Sequence, residues 1–174
     1  MLSDFNLLVT TSRGNEDDVC SELRYLLEEI GDPVPTIVRT GISGIVVIKT
    51  IINPFDVVAK LYRILHDRPY EFRYTLRIIP IEKVIRTDLG EIRQAATELS
   101  LKIEEDETFR VTVEKRFVNM TSQEIIKAAA SDIEREVYLA NPDKILLIEI
   151  VGRLTGISVI KPNDIISVMK EKML

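Results

Sequence analysis

The segment Phe109-Arg110-Val111-Thr112-Val113-Glu114-Lys115-Arg116 holds the residues of this 174-residue chain best suited to chemistry with an anion. Arginine offers a planar fork of donors that matches a phosphate, and lysine offers a mobile point charge. Arg110 and Arg116 are therefore candidate phosphate ligands, with Lys115 beside them. The competing reading is that all three solvate an exposed sheet face and pair with Glu114. Five more bases stand near predicted loops or element ends: Lys83 and Arg86 in a connection, Lys127 on the helix after the basic strand, Arg153 in a hairpin loop and Lys161 after the last strand. Each can equally be a plain solvated charge. Arg77 lies just before Pro80, where it can line a groove between two units or make an ion pair across it.

Catalytic patterns are absent. The chain has no Gly-x-Gly-x-x-Gly, no Gly-rich loop ending in Lys-Ser or Lys-Thr, and no His/Cys cluster spaced for zinc. Its one histidine, His66, sits at a predicted helix end without a partnering nucleophile, which fits capping better than acid-base work. The single cysteine, Cys20, falls within an amphipathic helical pattern and reads as a small apolar residue. The carboxylates form runs typical of solvated faces, not an isolated pair in an apolar setting. No catalytic residue, metal ligand or cofactor is assigned, and the expectation is a protein that is not an enzyme.

Charge narrows the classes further. A formal net charge of -5 and a pI near 5.1 argue against coating a polyanion by bulk electrostatics, so any nucleic-acid contact must rest on local charge. The acids are unevenly placed. Glu16, Asp17, Asp18, Glu22, Glu28, Glu29 and Asp32 gather near the start, Glu104 to Glu107 form a second run, and between them lies a stretch from Lys60 to Arg93 with an excess of base. No apolar run approaches the roughly 20 residues that span a bilayer, and no cationic leader precedes an apolar block. A cytoplasmic protein with no membrane partner is expected.

Periodicity supplies the elements that position these side chains. A β-rich run from Phe5 to Thr10 precedes a helix from Glu16 to Ile30, stopped by Gly31 and Pro33. Strands over Thr36 to Arg39 and Ile45 to Ile51 follow, then a helix capped by Asn53-Pro54 and a strand from about Phe72 to Pro80. That β-α-β-β-α-β order is the ferredoxin-like arrangement. A second unit opens at Asp88, which caps a helix through Leu99. Alternation then puts Phe109, Val111 and Val113 on one face of a strand and Arg110, Thr112, Glu114 and Arg116 on the other. Thr121 or Ser122 caps a helix carrying Ile125, Ile126, Ala129, Ile133 and Val137. Asn141-Pro142-Asp143 reads as a structural turn, and Ile145 to Val151 as an interior strand continued by Leu154 to Ile160. The fold class is α+β, with units at residues 1–84 and 85–174.

Several of these segments carry a resemblance. Phe5-Asn6-Leu7-Leu8-Val9-Thr10-Thr11-Ser12-Arg13, Arg77-Ile78-Ile79-Pro80-Ile81-Glu82, the basic strand, Asn141-Pro142-Asp143-Lys144, and Ile148-Glu149-Ile150 through Gly156-Ile157-Ser158-Val159-Ile160 resemble, in order and spacing, THUMP-domain proteins. The likeness is greatest to the stand-alone THUMP adaptor of tRNA cytidine N4-acetylation. It implies a ferredoxin-like N-terminal domain followed by a THUMP α/β domain, and RNA contact by Arg110 and Arg116. Arg77, Lys83, Arg86, Lys115, Lys127, Arg153 and Lys161 are the further RNA-binding candidates. The implied function is a non-catalytic adaptor that holds the acceptor end of tRNA and presents it to a separate acetyltransferase making N4-acetylcytidine. The alternative is a protein-interaction module with a ferredoxin-like sheet, an acidic docking helix over Glu16 to Ile30, and no role with RNA.

Overall fold

Runs rich in Val, Ile and Leu, broken by glycine, proline and asparagine, give the chain an alternation of strands and helices. The computed structural model describes residues 3–174. In chain order its elements are β1 (Leu7–Thr11), α1 (Glu16–Glu29), β2 (Thr36–Arg39), β3 (Ile45–Lys49), α2 (Pro54–Asp67), β4 (Thr75–Pro80), β5 (Lys83–Arg86), α3 (Leu89–Leu99), β6 (Thr108–Glu114), α4 (Ser122–Ala130), β7 (Glu136–Val137), β8 (Lys144–Val151), β9 (Leu154–Ile160), β10 (Ile166–Ser167) and α5 (Val168–Lys172). They fall into two compact units, one running to Ile81 and including Asp164–Leu174, the other Glu82–Asn163.

The first unit has the β-α-β-β-α-β order expected for it. Its sheet runs β10-β4-β1-β3-β2, with every pairing antiparallel. Helical spacing turns Val19, Leu23, Leu26 and Leu27 of α1 and Val57, Val58, Leu61, Ile64 and Leu65 of α2 onto Leu7, Val9, Val46, Ile48 and Ile78 of the sheet. Cys20 packs half-buried against this core, and burial raises its thiol pKa, which keeps the thiol protonated and poorly nucleophilic. Asn53 caps α2 by accepting from the N–H of Phe55 at 2.9 Å. His66 is exposed beside Asp67.

The acids near the start of the chain are mostly committed within this unit. Glu22 accepts the backbone N–H groups of Arg73, Tyr74 and Thr75 at 2.7 to 3.2 Å and the Thr75 hydroxyl at 2.6 Å. Buried Asp32 accepts from the Thr50 hydroxyl at 2.5 Å and from the N–H groups of Ile51 and Val34. Glu16 accepts the N–H of Gly44 at 3.2 Å. Gly44 must be glycine here: its φ is +76°, and a Cβ would stand 2.7 Å from the Thr11 carbonyl oxygen. Asp17 pairs with Arg39, and Glu29 with Arg68.

The second unit builds a mixed sheet in the order β5-β9-β8-β6-β7. β6 runs parallel to both β7 and β8, whereas β9 is antiparallel to β8 and β5 to β9. α3 and α4 cover one face. Ile92, Ala95, Ala96, Ile125 and Ala129 pack on Phe109, Leu146, Ile148, Ile150, Ile157 and Val159, with Val111 and Val113 against them. Every residue of β8 from Ile145 to Val151 is buried, as its nearly continuous apolar run requires. Asp88 caps α3 by accepting the N–H of Glu91. Thr121 and Glu124 close a reciprocal capping box at the start of α4. Asp143 accepts from the Thr108 N–H at 2.8 Å and its hydroxyl at 3.1 Å, so Asn141-Pro142-Asp143 positions β8 beside β6.

Three boundaries depart from the expectation. Residues 164–174 fall with the first unit and not the second: Ile166 and Ser167 pair with Ile78 and Arg77 of β4, and buried Ile166 and Val168 join the first unit's core. The helix from Thr121 ends at Ala130 and not at Val137, because Glu136–Val137 adds a short parallel edge to Thr108–Phe109 and leaves Val137 exposed. Lys83–Arg86 is a strand paired with Leu154 to Ile157, not a bare connection.

Candidate nucleic-acid interface

Sheet register sorts the predicted bases by position. At the end of the second sheet where β6 and β8 finish, the Gly152 N–H donates to the Arg116 carbonyl at 2.9 Å, and the Thr87 N–H donates to the Arg153 carbonyl at 2.9 Å. These two bonds tie the loop after β6, the β8–β9 turn and the end of β5 together. Arg86, Lys115, Arg116 and Arg153 are thereby gathered at one end of one sheet. Gly152 lies in the left-handed region at φ +62° with open space around it, which lets the turn after Val151 reverse within two residues. Both α3 and α4 start from this end, since each follows a strand that finishes there.

The four bases are held differently. Arg153 is exposed and has no side-chain partner among the described residues. The Lys115 side chain is exposed and donates to the Met120 carbonyl at 3.3 Å across its own loop. Arg86 is 82% exposed and holds Glu91 at 2.8 Å. Arg116 is the exception, with a side chain only 16% exposed that pairs at 2.8 Å with Glu149, itself fully buried. Arg116 thus pairs with Glu149 and not with Glu114. Its guanidinium ties the loop after β6 to β8.

The remaining candidates lie elsewhere. Arg110 sits on the face of β6 opposite the helices, as the alternation predicts, but toward the start of the strand, where it donates to the Leu139 carbonyl at 2.9 Å. Lys161 is exposed after β9, at the opposite end of the sheet from Arg153. Lys83 pairs with Glu98 of α3, and that contact holds the Glu98 carboxyl below its ordinary range. Lys127 is exposed in the last turn of α4. Arg77 belongs to the first unit, half-buried on β4 opposite Thr10 and Ser167.

Sequence reasoning misses one residue at the turn end. Phe117, directly after Arg116, is 80% exposed and has φ +58°, the only left-handed non-glycine backbone among the described residues. Such a conformation costs an L residue about 1–2 kcal/mol. The order Lys-Arg-Phe just past a strand is the one signal that could have found it.

Comparison with known proteins decides the second unit's family. A THUMP domain model matches residues 86–160. The second unit is a THUMP domain. Solved structures share the fold over most of the chain. PH1313 from Pyrococcus horikoshii Ot3 is 21% identical with a TM-score of 0.68, over 89% of this chain and 54% of that one. A 4-thiouridine synthetase crystallised with RNA and ATP is 16% identical with a TM-score of 0.59, over 94% of this chain and 42% of that one. TrmN from Thermus thermophilus is 17% identical with a TM-score of 0.56, over 90% of this chain and 46% of that one. The chain thus spans about half the length of these structures. No curated protein matches it. Among the described residues, no helix of either unit is long and apolar enough to cross a membrane, and no group of His, Cys, Asp and Glu side chains in the THUMP domain or the first unit could hold a metal ion.

Proposed function

We propose that this chain is a non-catalytic, cytoplasmic tRNA-binding adaptor whose THUMP domain takes RNA at the turn end of its sheet and presents it to a separate enzyme, a tRNA acetyltransferase that makes N4-acetylcytidine. The observation that carries the reading is the convergence of Arg86, Lys115 and Arg153 at one end of that sheet, brought together by backbone bonds from Gly152 and Thr87. Local positive charge with outward-facing side chains is what a chain of net charge -5 needs to hold a polyanion. The fold shared with a 4-thiouridine synthetase solved in an RNA complex supports the same reading. The sheet order β4-β1-β3-β2 supports a ferredoxin-like first unit. Recognition of an A-form duplex rests on shape, phosphate and 2′-hydroxyl contacts, because its major groove hides the base edges. Arg116 acts through the loop it anchors. Within the THUMP domain Lys83, Arg110, Lys127 and Lys161 lie away from the convergent end, and Arg77 belongs to the first unit.

Two measurements test this. Binding of tRNA is followed against salt for the wild type and for Lys115→Ala with Arg153→Ala. The double variant is expected to bind more weakly, with a salt slope shallower by roughly 0.7–0.9 for each phosphate it no longer neutralises. Equal affinity and slope would remove the site. The adaptor role is tested by supplying a tRNA acetyltransferase and acetyl donor at dilute tRNA, with and without the chain. Prior placement makes an encounter intramolecular and raises turnover; an unchanged rate sinks the adaptor reading.

A further inference from the structure

The loop that follows β6 is pinned on both sides of Phe117. On one side, Arg116 is fixed twice: its guanidinium by the buried Glu149 carboxylate at 2.8 Å, and its carbonyl by the Gly152 N–H at 2.9 Å. Around the loop, Lys115 reaches the Met120 carbonyl at 3.3 Å, and Thr121 is locked into the capping box of α4. Between these anchors stands a phenylalanine in left-handed backbone, 80% exposed. A solvated aromatic ring gains nothing from that exposure, and the backbone conformation is one that glycine or asparagine would adopt at lower cost. Strained positions persist where the surroundings over-determine them, and they concentrate at ligand contacts. Exposed Lys115 lies two residues before the ring, and exposed Arg153 directly follows the glycine that is bonded to Arg116.

We propose that Phe117 is a stacking platform for one unpaired nucleobase of the bound RNA, with Lys115 and Arg153 holding the adjoining phosphates. The inference rests on the RNA-binding reading above and makes it narrower. Aromatic side chains stack any base through its π face, while a basic groove tracks the backbone. An unpaired nucleotide can offer that face; a base inside a duplex cannot. The buried Arg116–Glu149 pair fixes the backbone that carries the ring, so little conformational freedom is lost on binding.

The test uses the full chain and two RNA hairpins of identical stem, one blunt and one with a four-nucleotide single-stranded 3′ overhang carrying 2-aminopurine. Wild type is expected to prefer the overhang hairpin and to quench 2-aminopurine on binding. Phe117→Ala should lose affinity for the overhang hairpin by roughly 5- to 160-fold, the range of one stacked base, and should leave blunt-hairpin binding unchanged. Phe117→Tyr should retain preference and quenching. Phe117→Gly should lose the preference while its thermal midpoint is no lower than wild type, because glycine relieves the left-handed backbone; that separates stacking from folding. If wild type binds neither hairpin, the RNA reading itself fails and this inference with it. If wild type binds RNA but Phe117→Ala binds both hairpins as wild type does, or weakens equally on both, RNA binding stands and the stacking platform is overturned.

Discussion

Two charged regions of this molecule are treated in opposite ways. Around α1 the acids are turned to backbone groups and to nearby hydroxyls: Glu22 collects three successive N–H groups, Asp32 serves a buried hydroxyl, and Glu16 holds Gly44. At the turn end of the THUMP sheet Arg153 is left outward and exposed Lys115 spends one bond on the Met120 carbonyl, whereas Arg116 is held by Glu149. A charge committed to the fold contributes stability and offers a partner little. A charge left in water contributes almost no stability and remains available. Glu16, Glu22 and Asp32 thus serve the fold directly, whereas Arg153 at the basic end faces water.

The largest test of that contrast falls on the one base that crosses it. Glu149→Ala leaves the Arg116 guanidinium largely buried without its counter-charge and should cost about 3–5 kcal/mol in urea unfolding. Replacing both partners, Arg116→Met with Glu149→Leu, should recover most of the loss. A cost below about 1 kcal/mol in the single variant would mean that the pair is solvated and the loop unanchored.

Next comes the inward-facing acid. Glu22→Ala removes a carboxylate that accepts from Arg73, Tyr74 and Thr75, and charge-assisted bonds of this kind are worth about 1.5–3 kcal/mol. A loss in that range, with RNA binding intact, marks Glu22 as architecture. Loss of RNA affinity in a folded Glu22→Ala would instead blur the division between the two regions.

Acid titration gives a smaller effect with a definite sign. Glu16 has its carboxyl held below the ordinary 4.5, first by its own backbone N–H and then by that of Gly44. A depressed folded-state pKa contributes stability above the unfolded value and loses it as pH falls through the folded one. Unfolding free energy measured from neutral pH down through 4.5 and below should thus decline less steeply in Glu16→Gln than in wild type. Parallel curves would show that the contact with Gly44 does not favour the charged form.

The smallest stability effect belongs to the outward bases. Lys115→Ala with Arg153→Ala should change unfolding free energy by less than about 0.5 kcal/mol, as exposed substitutions do. The same variant is expected to weaken RNA binding. Destabilisation by more than about 1 kcal/mol would place these residues with the architectural charges.

Much of this is legible in the chain because local signals and tertiary packing agree. Asn53-Pro54, Asp88 and Thr121 cap the helices their residue types predict, and alternation in β6 sorts Phe109, Val111 and Val113 from Arg110. Sequence reasoning fails where a tertiary partner decides. Ile166 and Ser167 have no strand signal of their own and become a strand by pairing with Ile78 and Arg77. Lys83 to Arg86 is charged at both ends, and Leu154 to Ile157 orders it. Arg116 is indistinguishable from Arg110 by alternation, which reports the face of a strand and not the partner waiting there; the lone acid in the apolar run Ile145 to Val151 is the clue. Phe117 escapes because left-handed backbone has no period.

The return of β10 to β4 has a consequence for synthesis. The chain completes Glu82–Asn163 before it emits the last strand of the first sheet. Since domains tend to fold as units while the ribosome delivers them, the THUMP domain can finish first although it lies later in the sequence. The earlier half then waits with the edge of β4 bare until Ile166 emerges, and a ribosome stalled before that point would leave the first half, and not the second, with an open strand to pair with a neighbour.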